Sequence, residues 1–290
     1  MKYMEDFKEP LVLVADSGST KTDWCLFSDG KTIVRFSTQG INPFHQREDT
    51  IRDIVGKELH TAIDGAVGLL SQVSSIRFYG AGCRGEAADS LRSILLEAFP
   101  GCCDVFVGSD LMAAAHAVCG TEEGIACILG TGANSCLYDG VKIVRNVSPL
   151  GYILGDEGSG AVLGKLFINA LFKGDMPENL RTEFLELSGI TLDDIVRRVY
   201  REPMANRWLA SLSPFIHSHL DSRQVNDLVV ANFVDFFKKN VDHYSRKDLP
   251  VGAVGSVAYY YKEQLEEAAM RCGYRLGRIV KNPMDILMNG

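Results

Sequence analysis

Cys25-Leu26-Phe27-Ser28-Asp29-Gly30-Lys31-Thr32-Ile33-Val34-Arg35 is answered 111 positions later (136 − 25) by Cys136-Leu137-Tyr138-Asp139-Gly140-Val141-Lys142-Ile143-Val144-Arg145. Each copy follows an apolar run and a turn of small residues. Leu11–Ala15 leads into Asp16-Ser17-Gly18-Ser19-Thr20, and Ile125–Leu129 leads into Gly130-Thr131-Gly132-Ala133-Asn134-Ser135. Apolar run, small-residue turn, second run, Asp-Gly, third run is the pattern of a β-meander, because Asp-Gly is a strong signal for a tight hairpin. Two such meanders predict two related α/β halves.

Helix and strand signals alternate after each meander, which implies mixed or parallel sheets covered by helices. Helical periodicity runs from Glu48 to Leu70. Ser75–Tyr79 reads as a strand, Glu86–Phe99 as a helix stopped by Pro100-Gly101, Asp104–Val107 as a strand and Asp110–Val118 as a helix ended by Gly120. The stretch from Glu157 to Asn240 reads as mostly helical. Val251–Val254 is an expected strand, followed by a helix to Arg271, a strand over Tyr274–Ile279 and a short helix over Pro283–Met288. The join is expected near Cys119–Gly124, giving one domain of 1–119 plus about 281–290 and a second of 120–280 with a helical insertion.

The 290 residues, 31.9 kDa in mass, are 46% hydrophobic and 23% charged, the mix of a folded globular protein. A net charge of −7 argues against nucleic-acid or anionic-membrane partners, which call for a basic face. It leaves open an anionic small ligand held by backbone amides and a metal. No apolar run nears the roughly 20 residues of a membrane span. Met1–Pro10 carries Glu5, Asp6 and Glu9 and no signal-peptide core, so a cytoplasmic protein is expected. Eight cysteines without a C-x-x-C fit a reducing compartment and burial as small apolar side chains.

In the first turn, glycine and small hydroxyl residues let backbone N–H groups approach and cup a phosphate. Asp16, at the end of its strand, suits Mg²⁺ held through water, and Lys21 suits a phosphate charge. The Walker A spacing is absent, and an ordinary polar hairpin turn is the alternative. The second turn, Gly130-Thr131-Gly132, repeats the logic, and two such hairpins facing each other would clamp a polyphosphate. The Asn134 amide suits a hydroxyl-rich ligand.

Asp16–Thr22, Leu129–Ser135, the block Gly151-Tyr152-Ile153-Leu154-Gly155-Asp156-Glu157-Gly158-Ser159-Gly160 and Val254-Gly255-Ser256-Val257, in that order, resemble the N-acetylglucosamine kinase group of the BadF/BadG/BcrA/BcrD ATPase family, within the actin-like superfamily. The resemblance covers nearly the whole chain. It implies two actin-like (ribonuclease H-like) domains, with ATP and sugar in the interdomain cleft and domain closure excluding water. It implies an ATP- and Mg²⁺-dependent kinase acting on the 6-hydroxyl of an amino sugar, N-acetylglucosamine first. Ser19, Thr20, Lys21, Gly130, Thr131 and Gly132 would face phosphates, and Gly255 and Ser256 would lie near adenosine. Asn42, Asn134, Gly151, Tyr152 and Asp156 would contact the sugar.

Asp110 would bind the sugar and act as general base, taking the hydroxyl proton as the oxygen attacks phosphorus; a helix N-cap is the alternative or additional role. For Asn42, in Gly40-Ile41-Asn42-Pro43, an ordinary turn is the alternative. Departures from the pattern are Tyr152, the serines at 17 and 19 where glycine is common, and Ser218-His219-Leu220-Asp221-Ser222, which lacks a Gly-Asp pair. His217 and His219, two apart, would point about 200° apart on a helix and share no metal. Other readings keep the fold: a kinase of N-acetylmuramate or another amino sugar, an iron–sulfur dehydratase activator using Cys127 and Cys136, or a non-catalytic sugar sensor. A homodimer is common in the group.

Overall fold

The computed structural model describes residues 10–18, 21–66 and 70–287. The chain divides into two compact units, Met1–Ala117 with Pro283–Gly290, and Val118–Asn282. The chain thus enters the second unit inside a helix, Asp110–Cys119, rather than at a linker.

The first unit holds a five-stranded sheet. Its strands are β1 (Leu11–Ser17), β2 (Lys21–Ser28), β3 (Lys31–Gln39), β4 (Val73–Gly80) and β5 (Asp104–Gly108), in the order β3-β2-β1-β4-β5. β1, β2 and β3 form the antiparallel meander, and β1, β4 and β5 run parallel. β1 lies in the middle and is covered on both faces, which is why it reads as an uninterrupted apolar run. Leu11, Leu13 and Ala15 pack with Ile51, Val55 and Ile63 and with Leu91 and Leu95. Val14 faces the other way, onto Cys25, Phe27, Tyr79, Ala113 and Met284. The C-terminal helix Met284–Leu287 thereby belongs to the first unit.

The second unit repeats the plan. Its strands are β6 (Glu123–Leu129), β7 (Ala133–Asp139), β8 (Ile143–Val147), β9 (Pro250–Val254) and β10 (Arg275–Val280). Read as β8-β7-β6-β9-β10, the order matches the first sheet position by position. The meander β6–β7–β8 is antiparallel and β6, β9 and β10 are parallel. A larger core of Phe167, Phe184, Phe233, Phe236 and Phe237 sits against it, supplied by the helices inserted between β8 and β9.

Two helices differ from the sequence reading. The expected single helix over 48–70 is an α-helix (Glu48–Asp53), a wide π turn (Ile54–Leu59) and a second α-helix (His60–Ala66). The wide turn brings Ile54, Val55 and Leu59 together into the core. The helix expected to run to Arg271 is broken into Ser256–Tyr260 and Lys262–Arg271. Tyr261, at the break, is fully buried and its hydroxyl donates to the Ser213 carbonyl (2.6 Å).

All eight cysteines are unpaired, and Cys25, Cys83, Cys102, Cys127 and Cys136 are buried. Cys103 is exposed, against the expectation of burial. No helix among the described residues is long and apolar enough to cross a membrane.

Candidate active site

In the first unit, strand direction decides which residues meet. β1, β4 and β5 are parallel, and β3 runs the same way through two antiparallel steps. Their C-terminal ends therefore share one edge of the sheet, the edge where open α/β sheets bind ligands. Asp16 and the first turn, Gly40–Asn42, Gly80–Gly82 and Ser109-Asp110 all lie there.

The turn is tight: the Gly18 N–H donates to the Lys21 carbonyl (3.0 Å). Asp16 is cross-strand neighbour to Asp23. Burial, then the negative charges of Asp110 and Asp23, push the Asp16 carboxyl up to about 6, with Lys21 opposing. Lys21 itself is paired with Asp23 at 2.9 Å on the surface. Asp110 opens the helix Asp110–Cys119 but does not cap it. Ser109 does: its Oγ accepts from the Met112 N–H (3.2 Å), the bond an N-cap makes to the third helical residue. The exposed Asp110 carboxylate accepts from the neighbouring Leu111 N–H (2.9 Å). Asn42 is held by its loop. Its N–H donates to Gln46 Oε1 (2.7 Å) and its Oδ1 accepts from the Phe44 N–H (3.1 Å). Gly82, at φ +79°, lies beneath that oxygen; a Cβ there would sit 2.1 Å from Asn42 Oδ1.

The second unit gathers its residues at the equivalent edge, beyond β6, β8 and β9. The turn Gly130–Gly132 is closed by the Gly130 N–H on the Gly132 carbonyl (3.0 Å). The helix Gly160–Lys173 points its first amides at the turn, Gly160 N–H to Gly130 O (2.8 Å) and Ala161 N–H to Thr131 O (3.1 Å). Gly255 backs onto the strand that feeds the turn. Its φ is +123°, and a Cβ would stand 2.3 Å from the Leu129 carbonyl oxygen, so only glycine fits. Asp156 sits beside Gly132, whose Cβ position is 3.1 Å from Asp156 Oδ2. Its carboxylate accepts backbone N–H groups of Gly151 and Ala133, yet burial outweighs them and holds its pKa above the usual carboxylate range. Its φ of +57° is a left-handed conformation that aspartate tolerates better than most residues.

No family model and no curated protein sequence matches the chain. Solved structures do. A protein of Porphyromonas gingivalis, provisionally named an N-acetylglucosamine kinase, is 50% identical at a TM-score of 0.85, over 96% of this chain and 97% of that one. This chain belongs to the N-acetylglucosamine kinase family. A similarly named protein of Chromobacterium violaceum is 19% identical at a TM-score of 0.69, over 97% and 99% of the two chains. A ROK-family glucokinase of Streptomyces griseus, crystallised with glucose and AMPPNP, is 16% identical at 0.51, over 96% and 97%. These two likenesses are of fold alone; the paired five-stranded mixed sheets are the actin-like fold, shared with the 50% identical relative.

Within this family member, the residues singled out in the sequence fall into groups. Asp16, Lys21, Asn42 and Asp110 meet at one edge of the first sheet. Gly130–Gly132, Gly151, Asp156, Gly255 and Ser256 meet at the corresponding edge of the second. Ser19 and Thr20 lie outside the described residues. Asn134 is a strand residue of β7 rather than a turn residue, and its Oδ1 already accepts from Asn146 Nδ2 (2.9 Å). The Tyr152 carbonyl holds Lys165 Nζ (2.8 Å). His217 and His219 turn to different partners, the Tyr260 carbonyl (3.1 Å) and Glu183 (3.1 Å).

Asn232 escaped the sequence reading. Buried in the helix Arg223–Lys239, it accepts from the Gly158 N–H through Oδ1 (3.0 Å) and holds the Ser159 carbonyl (3.5 Å). A single asparagine more than seventy positions from its partners leaves no local signal.

Proposed function

We propose that the chain is an ATP-dependent sugar kinase that phosphorylates an amino sugar, N-acetylglucosamine foremost, at the 6-hydroxyl. The observation that carries the reading is the setting of Asp110: Ser109 takes the capping duty and leaves an exposed carboxylate at the ligand edge of the sheet. In this reading Asp110 accepts the proton of the 6-hydroxyl as that oxygen forms its bond to the γ-phosphorus. The bond from the γ-phosphorus to the bridging oxygen breaks, and ADP leaves. Asn42 binds the sugar, joined by Gly151, Tyr152 and Asp156. The turn Gly130–Gly132 and the hydroxyl of Thr131 cradle phosphates, as do Ser19 and Thr20, and Gly255 with Ser256 sits by the adenosine.

Mg²⁺ fits the first unit. Asp16 and Asp110 repel each other enough to help raise the Asp16 pKa, so a cation near them relieves a charge conflict. Asp16 would hold the ion through water, as Mg²⁺ prefers. When bound, Mg²⁺ neutralises developing phosphate charge. Lys21, exposed and tied to Asp23, is free to swing only at the cost of a weak surface pair.

The iron–sulfur activator finds no support in the thiols. Cys127 and Cys136 are buried within β6 and β7, where burial pushes the Cys136 thiol up to about 12 and holds the Cys127 thiol well above its ordinary value. Eight unpaired thiols accord with a cytoplasmic setting.

The test is a coupled ADP-release assay with Mg²⁺ against N-acetylglucosamine, N-acetylmannosamine, N-acetylmuramate, glucosamine and glucose. Turnover dependent on N-acetylglucosamine is the expected outcome. Turnover on another member alone reassigns the acceptor. No turnover with any of them, despite ATP binding, overturns the kinase reading in favour of a sensor.

A further inference from the structure

Ser17 and Thr22 face each other across β1 and β2, fully buried, and the proposed chemistry uses neither. Both hydroxyls converge on one residue, Ile41. The Ile41 N–H donates to Thr22 Oγ1 (3.1 Å) and to Ser17 Oγ (3.0 Å). The two hydroxyl oxygens are 2.6 Å apart, and Ser17 Oγ donates to the Ile41 carbonyl (2.8 Å). The protons close into a ring: Ile41 N–H to Thr22, Thr22 O–H to Ser17, Ser17 O–H to Ile41 O. Each bond in such a ring polarises the next. The Gln39 carbonyl, 3.2 Å from Thr22 Oγ1, is the weaker alternative for the Thr22 proton.

Ile41 has no strand partner, because β3 ends at Gln39. It is fully buried, so neither of its backbone groups can turn to water. The ring is what satisfies them. It ties the peptide just before Asn42 to the two residues that flank the first turn. Ser17 extends the tie to the loop on the other side of Asn42: its carbonyl accepts from the Ala81 N–H (3.3 Å), next to Gly82 beneath Asn42 Oδ1.

We propose that Ser17 and Thr22 are positioning residues for sugar recognition, setting the height and orientation of Asn42 through the Ile41 peptide. This rests on the reading of Asn42 as a sugar contact. The ring anchors the sugar loop at Ile41 to the strand ends on either side of the first turn.

The test is steady-state kinetics of the full chain, with the amino sugar and ATP varied separately, on Ser17→Ala, Thr22→Val and Thr22→Ser, alongside thermal melts. Ser17→Ala strips the Ile41 carbonyl of its donor and is expected to raise the sugar KM about tenfold, the size of one lost hydrogen bond. The ATP KM and kcat should move by no more than about twofold to threefold on the same scale. Thr22→Val, which keeps the volume and leaves Ser17 on Ile41, is expected to raise the sugar KM less. Thr22→Ser keeps the hydroxyl and should restore it.

A lower melting temperature with an unchanged sugar KM makes the ring structural only and overturns the inference, as does an equal rise in both KM values. If Ser17→Ala does not fold, Thr22→Val against Thr22→Ser decides by the same criterion. A wild-type chain that turns over no amino sugar removes the functional reading and the inference with it. Wild-type turnover with variants of unchanged KM removes the inference alone.

Discussion

The two small-residue turns occupy the same place in two sheets of the same order, yet they are held in different ways. The first joins one backbone bond, Gly18 N–H to Lys21 O, to side chains of the residues that flank it. Ser17 and Thr22 flank it and bond each other, and Asp23 and Asp110 add their negative charge to that of Asp16. The second is built from backbone. Helix amides reach its carbonyls and Gly255 presses against the strand below it. One carboxylate, that of Asp156, stands beside the second turn, next to Gly132. A turn ringed by carboxylates repels an anion until a cation arrives. The two copies thus share their topology and differ in their charge, and on the proposed function the metal and base chemistry fall to the first copy.

The largest effect that would break this division is at Asp110. Asp110→Asn is expected to lower kcat by about 10²–10⁴-fold, the usual contribution of a general base. ATP binding, measured by calorimetry, should stay nearly intact, and joint loss of both would make the residue structural. Next is Gly255→Ala, against the strand that feeds the second turn. Its φ of +123° and the 2.3 Å approach to the Leu129 oxygen predict a stability loss of about 2–4 kcal/mol and a raised ATP KM. Gly132→Ala, whose Cβ would meet only the Asp156 side chain at 3.1 Å, is the milder control.

Asp16→Asn sharpens the contrast by moving stability the other way. A carboxyl at about 6 against 3.8 unfolded contributes stability below pH 3.8 that is lost as pH rises through 6. At pH 7 the charged form therefore costs the metal-free protein up to about 3 kcal/mol. The variant should melt a few degrees higher at pH 7.5, and the gap should close as the pH falls from 6 to below 4. Kinase activity should drop in the same variant, and a variant that is stabilised and fully active would take Asp16 out of the site. The smallest effect is expected for Lys21→Met. Its surface pair with Asp23 is worth under about 1 kcal/mol, so the melt should barely shift. Any change in ATP KM then reports on phosphate contact alone.

Much of this was legible in the chain. Asp-Gly hairpins and apolar runs set both meanders, because the conformational demands of a tight turn and of a doubly covered strand act on neighbouring residues. Glycines at the turns and Asp156 in its glycine-rich block announced close backbone approach for the same local reason. The family blocks named a chemistry and its candidate residues.

What the chain could not announce depends on partners far apart in sequence. Asp110 was open to the N-cap role, and the geometry gives that role to Ser109. Asn134 read as a turn residue, but its register against Ile128 put it in a strand. Asn232 reaches Gly158 from another helix, and Ser17 and Thr22 meet at Ile41 only because β3 ends where a buried peptide still needs partners. Local backbone preference is carried by a few adjacent side chains and survives in the sequence. Satisfying a buried polar group is a question of which atoms arrive within 3 Å, and only the folded sheets and helices answer it.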